Sequence, residues 1–477
     1  MNLIDPKRHS RRAFLRRTSQ LALSGAALPF ALNLAALGEA AAFDATDYKA
    51  LVCVFLRGGN DYANTVVTYD DASYNPYSAV RGNIAIAKAS LGGTLLNPLS
   101  ALPGGRQYAL NPAMTGLANL FNIGAAAVQL NVGPLVAPLT RVGFSGSDRR
   151  SFPIPPSLFS HNDQQSLWQS SSPEGSTVGW GGNLGDLALS ANGSALFTCI
   201  SVSGNAVFLS GDSALQYQIG TSNAVKIASV TGSVYGSNAV QGAISTLVQA
   251  SSTQVLENEY NAVTRRAIAA ETQISAALAG NPAANAPFNT FTAGNPLAEQ
   301  LRMVTRIIAS RTALGSKRQV FFVTLDGFDH HDDLTTKHPV LLGQLSSALS
   351  EFYAATQALG VAGQVTAFTA SDFGRTLSSN GDGSDHGWGN HHLMVGGAVR
   401  GRTFYGAAPP VSVGNTGAPE DQWHIGQGRL LPSTSVDQYA ATLARWFGVA
   451  ESELAGILPN LGRFGGAGYP GNLGFMG

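Results

Sequence analysis

The sequence predicts an α/β fold with a mostly parallel central sheet and helices on both of its faces. Three predominantly apolar runs, at residues 51–56, 319–325 and 365–369, are typical of strands that are covered on both sides. Segments with helical periodicity separate these runs along the chain. The order strand, helix, strand, helix favours parallel pairing, because parallel strands need a long crossover connection.

The remaining elements extend this pattern along the chain. A further buried-type strand is predicted at residues 125–132, before a glycine-proline pair. Helical patterns are predicted at residues 160–170, 179–189, 239–279, 297–314, 341–359 and 436–447.

One segment departs from this alternation. Residues 196–235 alternate short β-like runs with glycine, serine and asparagine, which indicates strands and turns. In the long helical pattern after it, an apolar stripe is predicted from Ile244, Leu247, Val255, Leu256 and Tyr260. We therefore predict one α/β domain over residues 43–477, with a strand-turn and helical insertion at about residues 190–295.

The first 42 residues have the features of an export signal. Arg11 and Arg12 precede a mildly apolar stretch at residues 21–37, and small residues at 40–42 form an A-x-A site. This pattern predicts a twin-arginine signal peptide, cleaved near Ala42, and a periplasmic or secreted protein. The twin-arginine translocase is then a transient partner. The apolar stretch contains glycine, proline and asparagine and is short for a span of roughly 20 residues, so no stable membrane anchor is expected.

Composition excludes one class of partner. Charged residues make up 12% of the chain, and 29 Lys and Arg residues balance 29 Asp and Glu residues. Without a basic excess, nucleic-acid binding is not expected. Cys53 and Cys199 are the two cysteines. Cys53 lies within a predicted buried strand, so two free buried thiols are favoured over a disulfide.

Acidic and histidine side chains follow three predicted strands and occupy one later loop. Ligands of open α/β sheets bind outside the carboxyl ends of the strands, so distant residues can meet there. Carboxylate and imidazole ligands together suit a divalent metal, with zinc, manganese and calcium not distinguished. The alternative is that single aspartates only cap helices or turns. The candidate metal ligands are Asp61, Asp329, His331, Asp372, His386, His391 and His392.

A second set of residues suggests catalytic roles. Ser160 and His161 stand at a turn into a predicted helix, where a hydroxyl beside an imidazole suits a nucleophile. Ser160 is equally suited to an N-cap with Asp163 as its partner. Arg57 and Arg375 lie beside the candidate ligands and suit bidentate binding of a phosphate or sulfate group, or plain surface solvation.

These segments together resemble a bacterial family known as domain of unknown function 1501, which is similar to the alkaline phosphatase and sulfatase superfamily. The matching motifs run from about residue 49 to residue 447. They are Phe-Leu-Arg-Gly-Gly-Asn-Asp at 55–61, Phe-Ser-His-Asn-Asp-Gln-Gln at 159–165, Gly-Phe-Asp at 327–329 with His331, Phe-Gly-Arg-Thr at 373–376, and the Asp-His-Gly-Trp-Gly stretch within 380–392.

The resemblance implies a three-layer sandwich of the alkaline-phosphatase type that binds one or two divalent metals. It implies that Asp61 is the metal carboxylate after the first strand, and that Asp329 and His331 belong to one metal site. Asp372 falls where a second-site aspartate is expected, and His386, His391 or His392 supplies a late histidine.

The sequence also departs from the superfamily pattern. Phe373 stands where a second-site histidine or asparagine is expected, which argues against a complete second site. No Cys-x-Pro-x-Arg sequence is present, so a formylglycine sulfatase is not expected.

The sequence therefore predicts an exported, metal-dependent hydrolase-like protein that acts on phosphate or sulfate esters, with Ser160 or a metal-bound water as the nucleophile. The alternative is a non-catalytic exported protein that keeps the fold and assembles with a protein partner. A cofactor-loaded redox enzyme is less favoured, since no G-x-G-x-x-G fingerprint or cysteine cluster is present.

Overall fold

A computed structural model describes residue 43, residues 45–466 and residues 468–477. The predicted signal peptide, at residues 1–42, lies outside the described residues. Within the described part of the chain, no helix combines the length and the apolar character that crossing a membrane requires.

The described residues contain eleven strands. They are β1 (Lys49–Arg57), β2 (Val66–Thr68), β3 (Tyr108–Leu110), β4 (Ala126–Gly133), β5 (Cys199–Ser201), β6 (Gln216–Gln218), β7 (Arg318–Asp326), β8 (Val365–Ser371), β9 (Asn390–Gly396), β10 (Phe404–Tyr405) and β11 (Thr434–Ser435).

Thirteen α-helices accompany the strands in the same described residues. They are α1 (Tyr62–Thr65), α2 (Asp71–Arg81), α3 (Thr115–Asn122), α4 (Arg141–Ser145), α5 (His161–Ser170), α6 (Trp180–Ala188), α7 (Ala228–Thr231), α8 (Asn238–Leu247), α9 (Val255–Ala279), α10 (Pro296–Ala309), α11 (Leu334–Ala358), α12 (Val436–Phe447) and α13 (Glu451–Ile457).

Nine of the strands form one mostly parallel central sheet. Its order is β10-β4-β9-β8-β1-β7-β5-β6, and β11 also pairs with β4. Strand β1 runs parallel to both of its neighbours, β7 and β8. Strand β9 is antiparallel to β4 and to β8, and the other pairings described in this sheet are parallel. The predicted α/β class with a mostly parallel sheet is therefore confirmed.

Both faces of the sheet are covered by helices. Along β1, Val52, Val54 and Leu56 belong to a core that includes side chains of α3, α10 and α11. The alternate residues Cys53 and Phe55 belong to a second core that includes side chains of α6, α12 and α13. Because successive strand residues point to opposite faces, β1 is buried on both sides, and each fully buried side chain contributes roughly 1.5–3 kcal/mol.

Strand directions bring several loops to one edge of the sheet. The last residues of β1, β7 and β8 are in register, since Arg57 pairs with Asp326 and Leu56 with Ser371. Strand β9 runs in the opposite direction, so its first residue, Asn390, lies at this same edge. The loop after β1, the loop after β7 and the loop that joins β8 to β9 therefore share one edge.

The segment from 190 to 295 is partly integrated into the sheet. Strands β5 and β6 extend the sheet beyond β7. The predicted single helix over 239–279 is wrong, because the chain forms α8 and α9 with a break between them.

The apolar stripe predicted for this segment is also wrong. Leu247, Val255, Leu256 and Tyr260 are exposed, and Ile244 is only half-buried. Helix α9 instead contributes side chains from its second half to the core, at Ala270, Ile274 and Leu278.

Cys53 and Cys199 are both free and buried, as the sequence predicts. Burial raises the pKa of both thiols, to a value well above the ordinary range for Cys53.

One buried acid gives a pH-dependent test of the fold. Burial raises the pKa of Asp437 from 3.8 to about 6, while its carboxylate accepts the backbone N–H of Asn460 at 3.0 Å. Because the pKa of Asp437 is raised in the folded state, its contribution to the stability of the fold is present at pH values below the unfolded-state pKa. This contribution is lost as the pH rises through about 6. Asp437→Asn should remove this loss.

The measurement is the free energy of unfolding from urea titration at about pH 4 and about pH 7.5. Relative to Asp437→Asn, the wild type should lose up to about 3 kcal/mol between these pH values. Glu420→Gln, a substitution of an exposed acid, is the control. Equal differences between the wild type and Asp437→Asn at both pH values would contradict the assignment.

Candidate metal centre

The candidate centre is built at the shared edge of the sheet, around Asp329. This residue follows β7 by three positions, and the backbone N–H of Phe328 donates to the carbonyl of Arg57 at 3.0 Å. Gly58 has a φ of +114°, and a Cβ there would lie 2.4 Å from the backbone nitrogen of Asp329. Glycine at position 58 thus allows the loop after β1 to pack directly against the loop after β7.

Three imidazole nitrogens converge on the Asp329 carboxylate. His161 Nε2 lies 3.4 Å from Asp329 Oδ2. His331 Nε2 and His386 Nε2 lie 3.1 Å and 3.2 Å from Asp329 Oδ1. The ligand atoms of His161, Asp329 and His386 all lie within 4.8 Å of one another, and His331 Nε2 is 2.9 Å from His386 Nε2. These residues come from α5, the loop after β7 and the loop before β9.

Each of the three imidazoles has an acceptor at its other nitrogen. His161 Nδ1 lies 2.7 Å from Asp372 Oδ2, and His386 Nδ1 lies 2.7 Å from the carbonyl oxygen of Phe159. His331 Nδ1 is 3.4 Å from Asp385 Oδ1. Histidines that bind a metal donate their second ring N–H to a carboxylate or a carbonyl in this way.

The partner of His386 determines its tautomer. A carbonyl oxygen only accepts hydrogen bonds, so the proton of neutral His386 resides on Nδ1 and a lone pair remains on Nε2. That lone pair faces a carboxylate oxygen of Asp329, which is also an acceptor. A cation bound between the two groups would turn this repulsion into a pair of ligand bonds.

The spacing of the ligand atoms fits such a cation. Zinc binds histidine nitrogen and carboxylate oxygen at about 2.0–2.2 Å, so tetrahedral ligand atoms lie roughly 3.3–3.5 Å from one another. The distances of 3.1–3.4 Å between the imidazole nitrogens and the Asp329 oxygens are close to this value. The residues present therefore fit a small divalent cation.

Local electrostatics keep the carboxylate charged. Partial burial alone would raise the pKa of Asp329, but the hydrogen bond and charge of Arg375 lower it to about 2. The hydrogen bond that His161 donates to Asp372 raises the pKa of His161, whereas burial lowers the pKa of His386. An ionised carboxylate and a neutral imidazole are the forms that bind metals.

The side chain of Arg375 binds other groups of the protein and does not face solvent. Its fully buried guanidinium donates to the carbonyls of Gly59 at 2.9 Å, Gly58 at 2.8 Å and Ser384 at 2.6 Å, and it contacts the Asp329 carboxylate. The expected role as an anion clamp is not supported, because all three guanidinium nitrogens already donate to protein groups.

Asp61 is placed apart from the three imidazoles. Its carboxylate caps α1 by accepting the N–H of Asn64 at 2.9 Å, pairs with Arg81 at 2.8 Å and accepts the hydroxyl of Ser384 at 2.7 Å. Burial raises its pKa, but Arg81 outweighs this effect and the net shift is downward. The alternative of a capping aspartate, with an arginine as its counter-ion, describes Asp61 better than a metal ligand.

His391 and His392 are also outside the cluster, because β9 begins at Asn390 and includes both. His391 Nδ1 accepts the backbone N–H of Asn131 at 3.1 Å. His392 Nδ1 lies 3.2 Å from the hydroxyl of Thr369, and its ring packs against Trp168. Burial lowers the pKa of both imidazoles to about 3. They are core histidines.

Asp372 lies at the centre but behind His161. Its fully buried carboxylate accepts from Gly58 N–H at 3.2 Å and from Gln165 Nε2 at 2.9 Å, as well as contacting His161 Nδ1. It therefore orients a ligand, and the structure places His161, which the sequence suggested as a catalytic partner of Ser160, among the potential ligands.

Ser160 and Arg57 remain beside the centre. Ser160 occupies the N-cap position of α5, but its side chain makes no capping hydrogen bond. Of the two alternatives for Ser160, the capping interaction with Asp163 is therefore absent. Arg57 is 35% exposed, and its side chain is 3.8 Å from Asp326, a distance too long for a hydrogen bond.

Sequence reasoning missed three groups that support the centre. Asp385 and Gln165 belong to the matching motifs but were given no role. The carbonyl of Phe159 is a backbone group, so its role cannot be predicted from the side chain. Helical spacing predicts that Gln165 and His161 share a face, which could have identified Gln165. The Phe159 carbonyl depends on a backbone φ of +74°, which the sequence does not reveal.

Comparison with known families places the chain among proteins without an assigned activity. The model of the family described as "Protein of unknown function (DUF1501)" matches residues 48–455, and the chain belongs to this family. The family resemblance predicted from the motifs is thereby confirmed. A comparison with curated proteins found no match.

Two solved structures have a distant overall likeness to the chain. One is the crystal structure of Ps i-CgsB in complex with k-i-k-neocarrahexaose, with 8% identity and a TM-score of 0.34, covering 86% of this chain and 74% of that chain. The other comes from work on the metabolism of multiple glycosaminoglycans by Bacteroides thetaiotaomicron, with 10% identity and a TM-score of 0.33, covering 84% and 73%. At these scores the likeness carries no functional argument.

The contacts of Arg375 predict a large effect on stability. Arg375→Lys keeps the charge but leaves two carbonyl oxygens without a donor, at about 1–3 kcal/mol each, so the free energy of unfolding should fall by about 2–6 kcal/mol. Arg463→Lys, at an exposed position, is the matched control. Urea titration checks both variants, and an Arg375→Lys variant as stable as the control would refute the structural role.

Proposed function

We propose that this DUF1501 member is an exported, metal-dependent hydrolase that acts on phosphate or sulfate esters. The observation that carries the proposal is the convergence of three imidazole Nε2 atoms on the Asp329 carboxylate, with an acceptor at every Nδ1. Packing of an apolar core does not require such a cluster of polar groups. The arrangement suits a cation-binding site that is assembled from three separate parts of the chain.

His161, Asp329 and His386 would hold the metal, and His331 would complete the set. Three imidazoles with one carboxylate favour zinc or manganese over calcium, because calcium prefers oxygen ligands throughout. When bound, such an ion supplies Lewis-acid polarisation of a phosphoryl or sulfuryl oxygen.

Ser160 is the candidate nucleophile from the chain, with a water molecule as the alternative. Its two neighbours in the chain both belong to the centre. The carbonyl of Phe159 orients His386, and His161 contacts Asp372, so the backbone of Ser160 is fixed on both sides. Its hydroxyl is not used to cap α5. The position of Ser160 next to His161 in the chain supports it as the proposed nucleophile.

Arg57 supports an anionic substrate. It is the accessible guanidinium at the end of β1, and Asp326, at 3.8 Å, is too far to form a hydrogen bond with it. An ester that carries negative charge would therefore approach from the Arg57 side. There the guanidinium would neutralise charge that develops on the ester oxygens.

A non-catalytic binding role is the second candidate, and Phe373 favours it. The buried ring of Phe373 packs against His161 and His386, with centroid distances of 4.9 Å and 4.6 Å. It occupies one side of the ligand cluster with an apolar group, which supports a single-cation centre. Such a centre also suits an exported protein that assembles with a partner.

The export signal and the alkaline-phosphatase-type sandwich are parts of the same proposal. The arginine pair at Arg11 and Arg12 supports passage through the twin-arginine translocase, a route that delivers folded proteins to the periplasm or the exterior. The two-sided helical cover of a mostly parallel sheet supports the sandwich.

Metal content tests the centre directly. The purified protein should retain about one equivalent of zinc or manganese, and Asp329→Asn or His161→Gln should lower its affinity strongly because each removes one ligand. Asp372→Asn should weaken binding by about 10–100-fold, as expected for a group that orients a ligand. Elemental analysis and competition with a chelator measure these effects.

The matched control is Asp326→Asn, which changes an exposed carboxylate three residues before Asp329 at the same edge. It should bind metal as the wild type does. A wild type without bound metal, or an Asp329→Asn variant that binds as tightly as Asp326→Asn, would overturn the proposed centre.

Activity separates the two candidate functions. A panel of 4-nitrophenyl phosphate, 4-nitrophenyl sulfate and alkyl esters should show turnover that chelation removes, and Ser160→Ala should lower kcat by at least about 100-fold if serine is the nucleophile. Ser157→Ala is the control hydroxyl in the same loop. A protein that binds metal but hydrolyses none of these esters would support the binding role instead.

A further inference from the structure

A polar cavity of about 230 Å³ lies beside the candidate metal centre. Helix α5 forms one wall with Asn162, Gln165, Ser166 and Gln169, whose spacing of three and four residues places them on one face. Residues 174–176 and 205–207, together with Arg57, provide the remaining lining.

Gln165 connects this cavity to the centre. Its Nε2 donates to Asp372 Oδ2 at 2.9 Å, and the same carboxylate oxygen lies 2.7 Å from His161 Nδ1. His161 is one helical turn before Gln165 on α5. A ligand in the cavity would therefore lie next to the group that orients a metal ligand, and Arg57 would border both places.

The lining offers both hydrogen-bond donors and acceptors. Gln169 Oε1 accepts the backbone N–H of Phe208 at 3.0 Å, and Asn205 Oδ1 accepts Gln216 Nε2 at 2.9 Å. These contacts engage the oxygen ends of the two carboxamides and leave their NH₂ ends as the available donors.

Glu174 provides acceptors in the same lining. The carboxylate of exposed Glu174 lies 3.5 Å from Asn162 Nδ2, so it keeps most of its accepting capacity. Ala206 and Val207 are the two lining residues with apolar side chains, and none of the described lining residues is aromatic. The cavity thus suits a ligand with several groups that donate and accept.

We infer that this cavity binds the alcohol part of the ester, and that this part is a small polyhydroxylated group such as one sugar or glycerol unit. A hydroxyl group both donates and accepts hydrogen bonds. It can therefore donate to the carboxylate and accept from the carboxamide N–H groups of the lining. The volume is below the roughly 300–1,000 Å³ of pockets for drug-sized ligands, which limits the group to one small unit. This inference rests on the proposed function, because it assigns the cavity to part of the substrate.

The test measures the binding of small polyols to the purified protein. Saturation-transfer NMR detects the binding of glycerol, myo-inositol and galactose. Each polyol is compared with cyclohexanol, a ring with a single hydroxyl. The double variant Asn162→Leu/Glu174→Leu removes an amide and a carboxylate from the lining and should weaken the affinity for the best polyol about tenfold or more. Glu420→Leu is the control for an added surface leucine.

The metal content of each sample separates this inference from the proposed function. Polyol binding that the double variant loses, while Glu420→Leu keeps it, supports the cavity assignment even in a sample without metal. A metal-loaded wild type that binds none of the polyols better than cyclohexanol overturns it, although the metal centre stands. Equal polyol affinity in the double variant and the wild type overturns it as well.

Discussion

The buried guanidinium of Arg375 holds the functional edge of the sheet together. It follows β8, donates to carbonyls in the loop after β1 and in the loop before β9, and contacts Asp329 in the loop after β7. One cation therefore fixes three loops, namely the loop after β1, the loop after β7 and the loop that joins β8 to β9. Because a buried charge without partners is very unfavourable, any displacement of these loops is resisted by the whole network. Asp329 is thereby held as an ionised ligand at a fixed place.

The imidazoles around Asp329 then impose a second constraint. Each Nδ1 faces an acceptor, so each Nε2 is directed towards the same carboxylate. Neutral His386 presents a lone pair to Asp329 Oδ1, and two acceptors cannot bond to each other. In the proposed centre, a bound cation would resolve this conflict. The acceptors behind the rings are as much part of the centre as the rings themselves.

Much of the fold, but only part of the centre, follows from the sequence. Buried strand patterns predicted the sheet and the edge where Asp329, His331 and His386 meet. The pattern could not show that Arg81 would neutralise Asp61, since that pairing depends on the packing of α2. His391 and His392 were assigned to a ligand-bearing loop, but β9 starts at Asn390, which takes both rings into the core. A strand boundary is set by pairing with its neighbours and is only weakly encoded locally.

The central claim is that one cation binds among these three imidazoles and the Asp329 carboxylate. X-ray absorption at the metal edge of the zinc-loaded protein tests it most directly, because the spectrum reports the type and number of ligand atoms. The account predicts two to three imidazole nitrogens and a carboxylate oxygen at about 2.0–2.2 Å. A spectrum with water oxygens alone, or with sulfur ligands, would contradict it.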